Sequence, residues 1–179
     1  RDYTSRGPAG ISSEYLRNSV LPDMHLQMHY QQEGFAGGAG LAFKSIVPRT
    51  SSTVGFNTYK VAERVNGITA IAFAKISNSS LTFKIQGRYG ENIADVLSVS
   101  GFAVKEITNG LTGEQEYTPL RNATFWAEIH SNGKNWQFGL FGGYLKNLGT
   151  KEERAALMLP VYGLGTNIES LYRISPRVI

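Results

Sequence analysis

Across residues 22–31 apolar and polar positions alternate without a break. Met24, Leu26, Met28 and Tyr30 take every second place, with His25, Gln27, His29 and Gln31 between them. Such a period of two predicts a strand with one apolar and one polar face. The pattern returns where Leu81, Phe83, Ile85, Gly87 and Tyr89 interleave with Thr82, Lys84, Gln86 and Arg88. It returns again where Ala123, Phe125, Ala127 and Ile129 interleave with Thr124, Trp126, Glu128 and His130. In two further stretches the second face is mostly small. Phe35, Ala39, Leu41 and Phe43 stand against Ala36, Gly38, Gly40 and Ala42; Trp136, Phe138, Leu140 and Tyr144 stand against Gln137, Gly139, Phe141 and Gly143. Weaker alternation over 68–76 and 168–174, the latter with Glu169 and Arg173 opposite Ile168, Tyr172 and Ile174, brings the expectation to seven long strands.

The connections alternate in length. Short turns fall at 32–34, 77–80 and 131–134, the last carrying Asn132-Gly133, a strong hairpin signal. Long connections fall at 48–66, 90–121 and 146–167. The middle one is expected to hold a small hairpin, 96–104 returning near 116–118. The third contains Lys151-Glu152-Glu153-Arg154-Ala155-Ala156-Leu157, which predicts about two turns of helix, the one convincing helix of the chain. Long strands of alternating polarity, with tight turns at one end and long loops at the other, describe an outer-membrane β-barrel: all-β, antiparallel, with short periplasmic turns and long extracellular loops. A soluble sandwich also alternates, but its strands run about 5–6 residues and its loops need no such rhythm. Aromatic spacing favours the barrel. Phe35 and Phe43, like Trp136 and Tyr144, are eight residues apart on one face, about 26 Å along a strand and roughly 20 Å vertically at a tilt of ~40°.

Composition narrows the class without naming a partner. The 179 residues include no cysteine, which excludes disulfides and thiolate chemistry. The formal charge of +4 is spread thinly, weak grounds for nucleic-acid binding, and none is expected. No apolar run approaches the ~18 residues of a spanning helix. Arg1-Asp2-Tyr3-Thr4 has no signal-peptide pattern, and Arg177-Val178-Ile179 still reads as strand. Because seven strands cannot close a barrel of even count, the chain is expected to be a single barrel domain that is incomplete, a portion of a larger one.

Residues 1–10 (RDYTSRGPAG), 14–19 (EYLRNS), 89–92 (YGEN), 130–144 (HSNGKNWQFGLFGGY) and 172–177 (YRISPR) resemble the middle-to-late part of porin-like outer-membrane proteins of Bacteroidota, and the resemblance covers nearly the whole chain. It implies a barrel of about sixteen strands, a homo-trimer in the outer membrane, with strands before Arg1 and after Ile179. The partners it implies are outer-membrane lipid, lipopolysaccharide and small polar solutes.

Candidate chemistry is sparse. On a helix, His25 and His29 would share a face and could hold zinc; on the strand their neighbours demand they are about 13 Å apart, too far to share an ion. Glu128 and His130 could pair a carboxylate with a general base, but no Gly-x-Ser-x-Gly elbow supplies a nucleophile. Gly163-Leu164-Gly165-Thr166 lacks the Gly-Lys-Ser/Thr ending of a phosphate loop. No enzyme activity, cofactor or metal is expected. What remains is charge on the wall: the strands carry Lys44, Lys75, Lys84, Arg88, Arg173 and Arg177 against Glu128 and Glu169. At mid-depth on a lipid face each charge would cost about 2–4 kcal/mol, so these belong to the lumen or the interfaces. The expected pore lining is His25, Gln27, His29, Lys84, Gln86, Arg88, Glu128, His130, Glu169 and Arg173. The loop 90–121 is acidic, with Glu91, Asp95, Glu106, Glu114 and Glu116 against Lys105 and Arg121. An acidic loop over a basic wall suits a passive diffusion pore. The alternative is a structural or partner-binding barrel in an envelope complex.

Overall fold

The computed structural model describes residues 5–178, so Arg1 to Thr4 of the opening motif and the terminal Ile179 lie outside the described residues. In chain order the elements are β1 (Ser5–Gly7), β2 (Gly10–Ser12), α1 (Glu14–Ser19), β3 (Met24–Gln32), β4 (Phe35–Ile46), β5 (Ser51–Val54), β6 (Asn57–Lys60), β7 (Val65–Ser77), β8 (Leu81–Glu91), a 3-10 turn (Ala94–Val96), β9 (Ser100–Asn109), β10 (Glu114–Ser131), β11 (Phe138–Thr150), β12 (Val161–Leu164) and β13 (Ser170–Val178). All seven expected long strands are present. They form an antiparallel meander, β3-β4-β7-β8-β10-β11-β13, each paired with its successor. The sheet is open: among the described residues β3 pairs only with β4, and β13 only with β11.

The ladder registers carry the sequence alternation across the sheet. Directly paired residues share a face, so the run Leu26↔Leu41, Leu41↔Ala70, Ala70↔Tyr89, Tyr89↔Ala123 stays on the apolar side. That side is uncovered: Leu26 is 67% exposed, Met28 71%, Ile174 71% and Tyr172 82%. The chain exposes 11232 Å² for its 19.6 kDa, against about 8,600 Å² for a globular monomer of that mass. The excess is the bare sheet.

Among the described residues the hydrophobic core lies at the long-loop end. Tyr15 of α1, Ile46 of β4, Val65 of β7, Phe102 and Val104 of β9 and Tyr117 of β10 form it, with Leu16, Leu159 and Tyr162 packed against them. The expected hairpin in the middle loop is here, but longer: it pairs β9 with the first third of β10, which continues without a break into the long strand and reaches 18 residues. Bulges opposite Glu114/Gln115 and Glu116/Tyr117 fall on β9 within this hairpin, and the β10–β11 ladder shifts register at Arg121/Asn122, where β10 leaves β9.

Several expectations fail, each for a local reason. Residues 151–157 are not helical. Their amides are taken by neighbouring strands, Lys151 N–H donating to Pro119 O and Ala155 N–H to Lys105 O, while Arg154 binds the Val104 and Leu157 carbonyls; tertiary hydrogen bonds override helix propensity. Among the described residues the one α-helix is α1, and the β1–β2 hairpin precedes it. The loop 48–66 holds a second hairpin, β5–β6, turned at Gly55. The connection after β10 runs over 132–137 rather than closing tightly at Asn132-Gly133, so Trp136 precedes β11 and the strand's lower aromatic is Phe138.

Candidate functional site

The second face of the meander gathers the polar residues. Nine of the ten expected lining residues, His25, Gln27, His29, Lys84, Gln86, Arg88, Glu128, His130 and Arg173, fall on it by register, together with Lys44, Lys75 and Arg177. Glu169 does not join them. It precedes β13 and pairs with Lys146 at the long-loop end, where the lysine holds its carboxyl below the usual range.

Three zones follow one another along the strands. At the tight-turn end Glu128 accepts from Lys84 at 3.1 Å and from Arg177 at 2.7 Å, bridging β8 and β13 through β10. With both carboxylate oxygens so engaged, Glu128 does not orient His130, whose Nδ1 lies 3.3 Å from the Ser131 carbonyl. Lys75 sits directly opposite Lys84 and has no ion-pair partner among the described residues. The middle zone is aromatic. Trp126 and Phe141 are in contact with ring centroids 5.8 Å apart, and Phe73 meets His29 at 5.4 Å. His25 and His29 stand four positions apart along β3, and among the described residues no three potential metal ligands converge.

The third zone, nearest the long loops, is covered. The segment linking β8 to β9 turns back over the polar face, through left-handed backbone at Asn92 and Leu97. Polar-face side chains of three strands hold it: Lys44 of β4 pairs with Asp95 at 2.5 Å, Arg88 of β8 donates to Ser98 Oγ at 2.9 Å, and Asn122 of β10 donates to Ser98 Oγ and the Val99 carbonyl. A cleft remains beside this segment, lined among others by Asp23, His25, Lys44, Arg88, Ile93 and Asp95. Partial desolvation at the cleft pushes the Asp23 carboxyl up; Lys44 pulls it down and Asp95 adds to the rise.

The middle loop is therefore less acidic in effect than its composition implies, since Asp95 meets Lys44, Glu91 meets Lys151 and Glu116 meets Lys105. Sequence reasoning missed Asp23, Lys44, Asp95 and Ser98 as a group, because they come from three separate segments and no spacing signals their meeting. Phe73, Trp126 and Phe141 had a signal, apolar residues at polar-face parity. No protein-family model matches the chain, and no match to it is found among curated proteins or solved structures.

Proposed function

We propose that the chain forms part of the wall of an outer-membrane porin, a larger barrel of about sixteen strands assembled as a trimer, through which small hydrophilic solutes diffuse passively. In this reading the apolar face meets lipid, the polar face meets a water-filled lumen, the tight turns face the periplasm and the long loops face outward. The supporting observation is the sorting of charge. Lys44, Lys75, Lys84, Arg88, Glu128, Arg173 and Arg177 share one face of a sheet whose other face is apolar and has no protein against it. In water such a face would be far larger than the apolar patches monomers tolerate; in a bilayer it is the required surface.

A second reading draws on the cap. The core at the long-loop end and the segment over Lys44 and Arg88 fit a barrel whose lumen is closed, serving assembly or docking. Conductance separates the two. The full-length protein, reconstituted in a planar bilayer, should give stepwise ohmic currents; a folded, membrane-inserted protein that passes none would favour the structural barrel.

A further inference from the structure

One row of directly paired residues crosses the whole polar face: His29, Gly38, Phe73, Gln86, Trp126, Gly143 and Arg173. Two glycines, Gly38 and Gly143, interrupt its large residues, and they decide how the rings lie. A Cβ at Gly143 would stand 3.2 Å from the ring of Phe141, and one at Gly38 would stand 2.8 Å from Phe73. The two rings therefore recline over bare backbone instead of projecting from the wall. Trp126 and Phe141 are inclined by only 33°, giving a nearly continuous aromatic surface, and the Arg173 guanidinium lies 5.9 Å from the Phe141 centroid. Phe73 lies two strands from Trp126, about 10 Å away, with Gln86 between them. All three rings are only partly buried, and the side chains of Gln86 and Arg173 make no hydrogen bond among the described residues.

We propose that this row is a saccharide-binding platform, with Trp126 and Phe141 stacking on the C–H face of a pyranose and Gln86 and Arg173 binding its hydroxyls. The proposal deepens the reading of this face as a lumen wall and rests on it. Flat rings with an electron-rich face attract the weakly positive C–H bonds of a sugar, whose rim needs both donors and acceptors. Gln86 offers both, and Arg173 offers a fork of donors. A lipid tail would leave these polar groups unpaired. A nucleotide's phosphates would call for several free cations beside the rings, and among the described residues only Arg173 is free beside Trp126 and Phe141, since Lys84 and Arg177 are engaged by Glu128. The second ring site at Phe73 lets an oligomer bind along the row.

The test is calorimetric titration of the purified full-length protein in detergent with maltohexaose and cellohexaose, and with sorbitol as an open-chain polyol. Saturable binding of at least one hexaose is expected, with sorbitol giving none. Trp126→Ala should weaken it by about tenfold or more, ~1.4 kcal/mol, while Trp126→Phe should stay within about threefold. Gly143→Ala, which lifts the Phe141 ring without altering its chemistry, should fall between; it keeps the test decisive should Trp126→Ala fail to fold. No binding of either hexaose, equal binding of sorbitol, or full affinity in folded Trp126→Ala would overturn the platform. Conductance of the same preparation separates the two failures: current without sugar binding removes the platform and leaves the pore, and sugar binding without current does the reverse.

Discussion

Lys75 and Lys84 face each other across the β7–β8 ladder, a like-charge pair that costs a few tenths of a kcal/mol even where solvent screens it. Glu128 relieves Lys84 but not Lys75, so Lys75 is better placed than Lys84 to bias an aqueous lumen. Arg88 serves less well as a probe, since it also tethers Ser98. Lys75→Glu in the full-length protein should therefore shift the zero-current potential in a salt gradient toward cations and leave the thermal midpoint unchanged or slightly raised. An unmoved potential in a conducting variant would take Lys75 off the conduction path. Asp23 gives the pH dependence. Its side chain is exposed at the cleft mouth, yet partial desolvation there raises its carboxyl above the ordinary aspartate value, against the pull of Lys44. Its negative charge is thus lost, as pH falls, before that of a free aspartate near ~4. Anion preference should rise through that window, and Asp23→Asn should show the raised preference at neutral pH and lack this part of the titration. Because the folded value is raised, the protonated form favours the fold, so the same variant should not lose stability at neutral pH.

At the level of elements, the strands were legible and the long loops only in part, the β9–β10 hairpin being foreseen and the fold of 151–157 not. Alternation over eight or more residues depends on the chain alone, and Met24 to Tyr30 or Leu81 to Tyr89 point where they must whatever surrounds them. The segment 151–157 shows the contrary case: Lys, Glu and Ala favour a helix, yet their amides close on the carbonyls of β9 and β10. Glu91 explains part of that choice. Its side chain is 4% exposed and accepts from Lys151 at 3.1 Å and from Tyr89 Oη at 2.9 Å, so a helix at 151–157 would have to give up the cation over a buried carboxylate. Lys151→Met should lower stability by about 1–3 kcal/mol, less than the 3–5 of a fully enclosed pair because Lys151 is half in solvent. The check is the temperature at which the compact form on a semi-native gel is lost; an unchanged midpoint would mean that Glu91 is satisfied without it. Gly101 marks the same region, with φ 154° and the Tyr162 carbonyl packed where a Cβ would sit. Its role came from β12 pairing on β9, a contact that no local pattern announces.

For the whole molecule, the two ends follow different physics. The long-loop end is an ordinary protein interior, with Phe102, Ile46 and Val65 shut from solvent. The rest is a single sheet with neither side packed, and its polar face was readable from the sequence residue by residue because register turned seven separate alternations into one surface. Only Glu169 fell out, lying one residue ahead of β13. The central claim is that this sheet stands between lipid and water, and β8 tests it most directly. Single cysteines at 83, 84, 85, 86, 87 and 88 in the full-length protein, spin-labelled and reconstituted in lipid vesicles, should alternate in their relaxation by two quenchers. Labels at Phe83, Ile85 and Gly87 should respond to oxygen, which concentrates in the bilayer, and those at Lys84, Gln86 and Arg88 to a water-soluble nickel chelate. Oxygen and nickel accessibilities that rise and fall together along the strand, or nickel access at Phe83 and Ile85, would contradict the account.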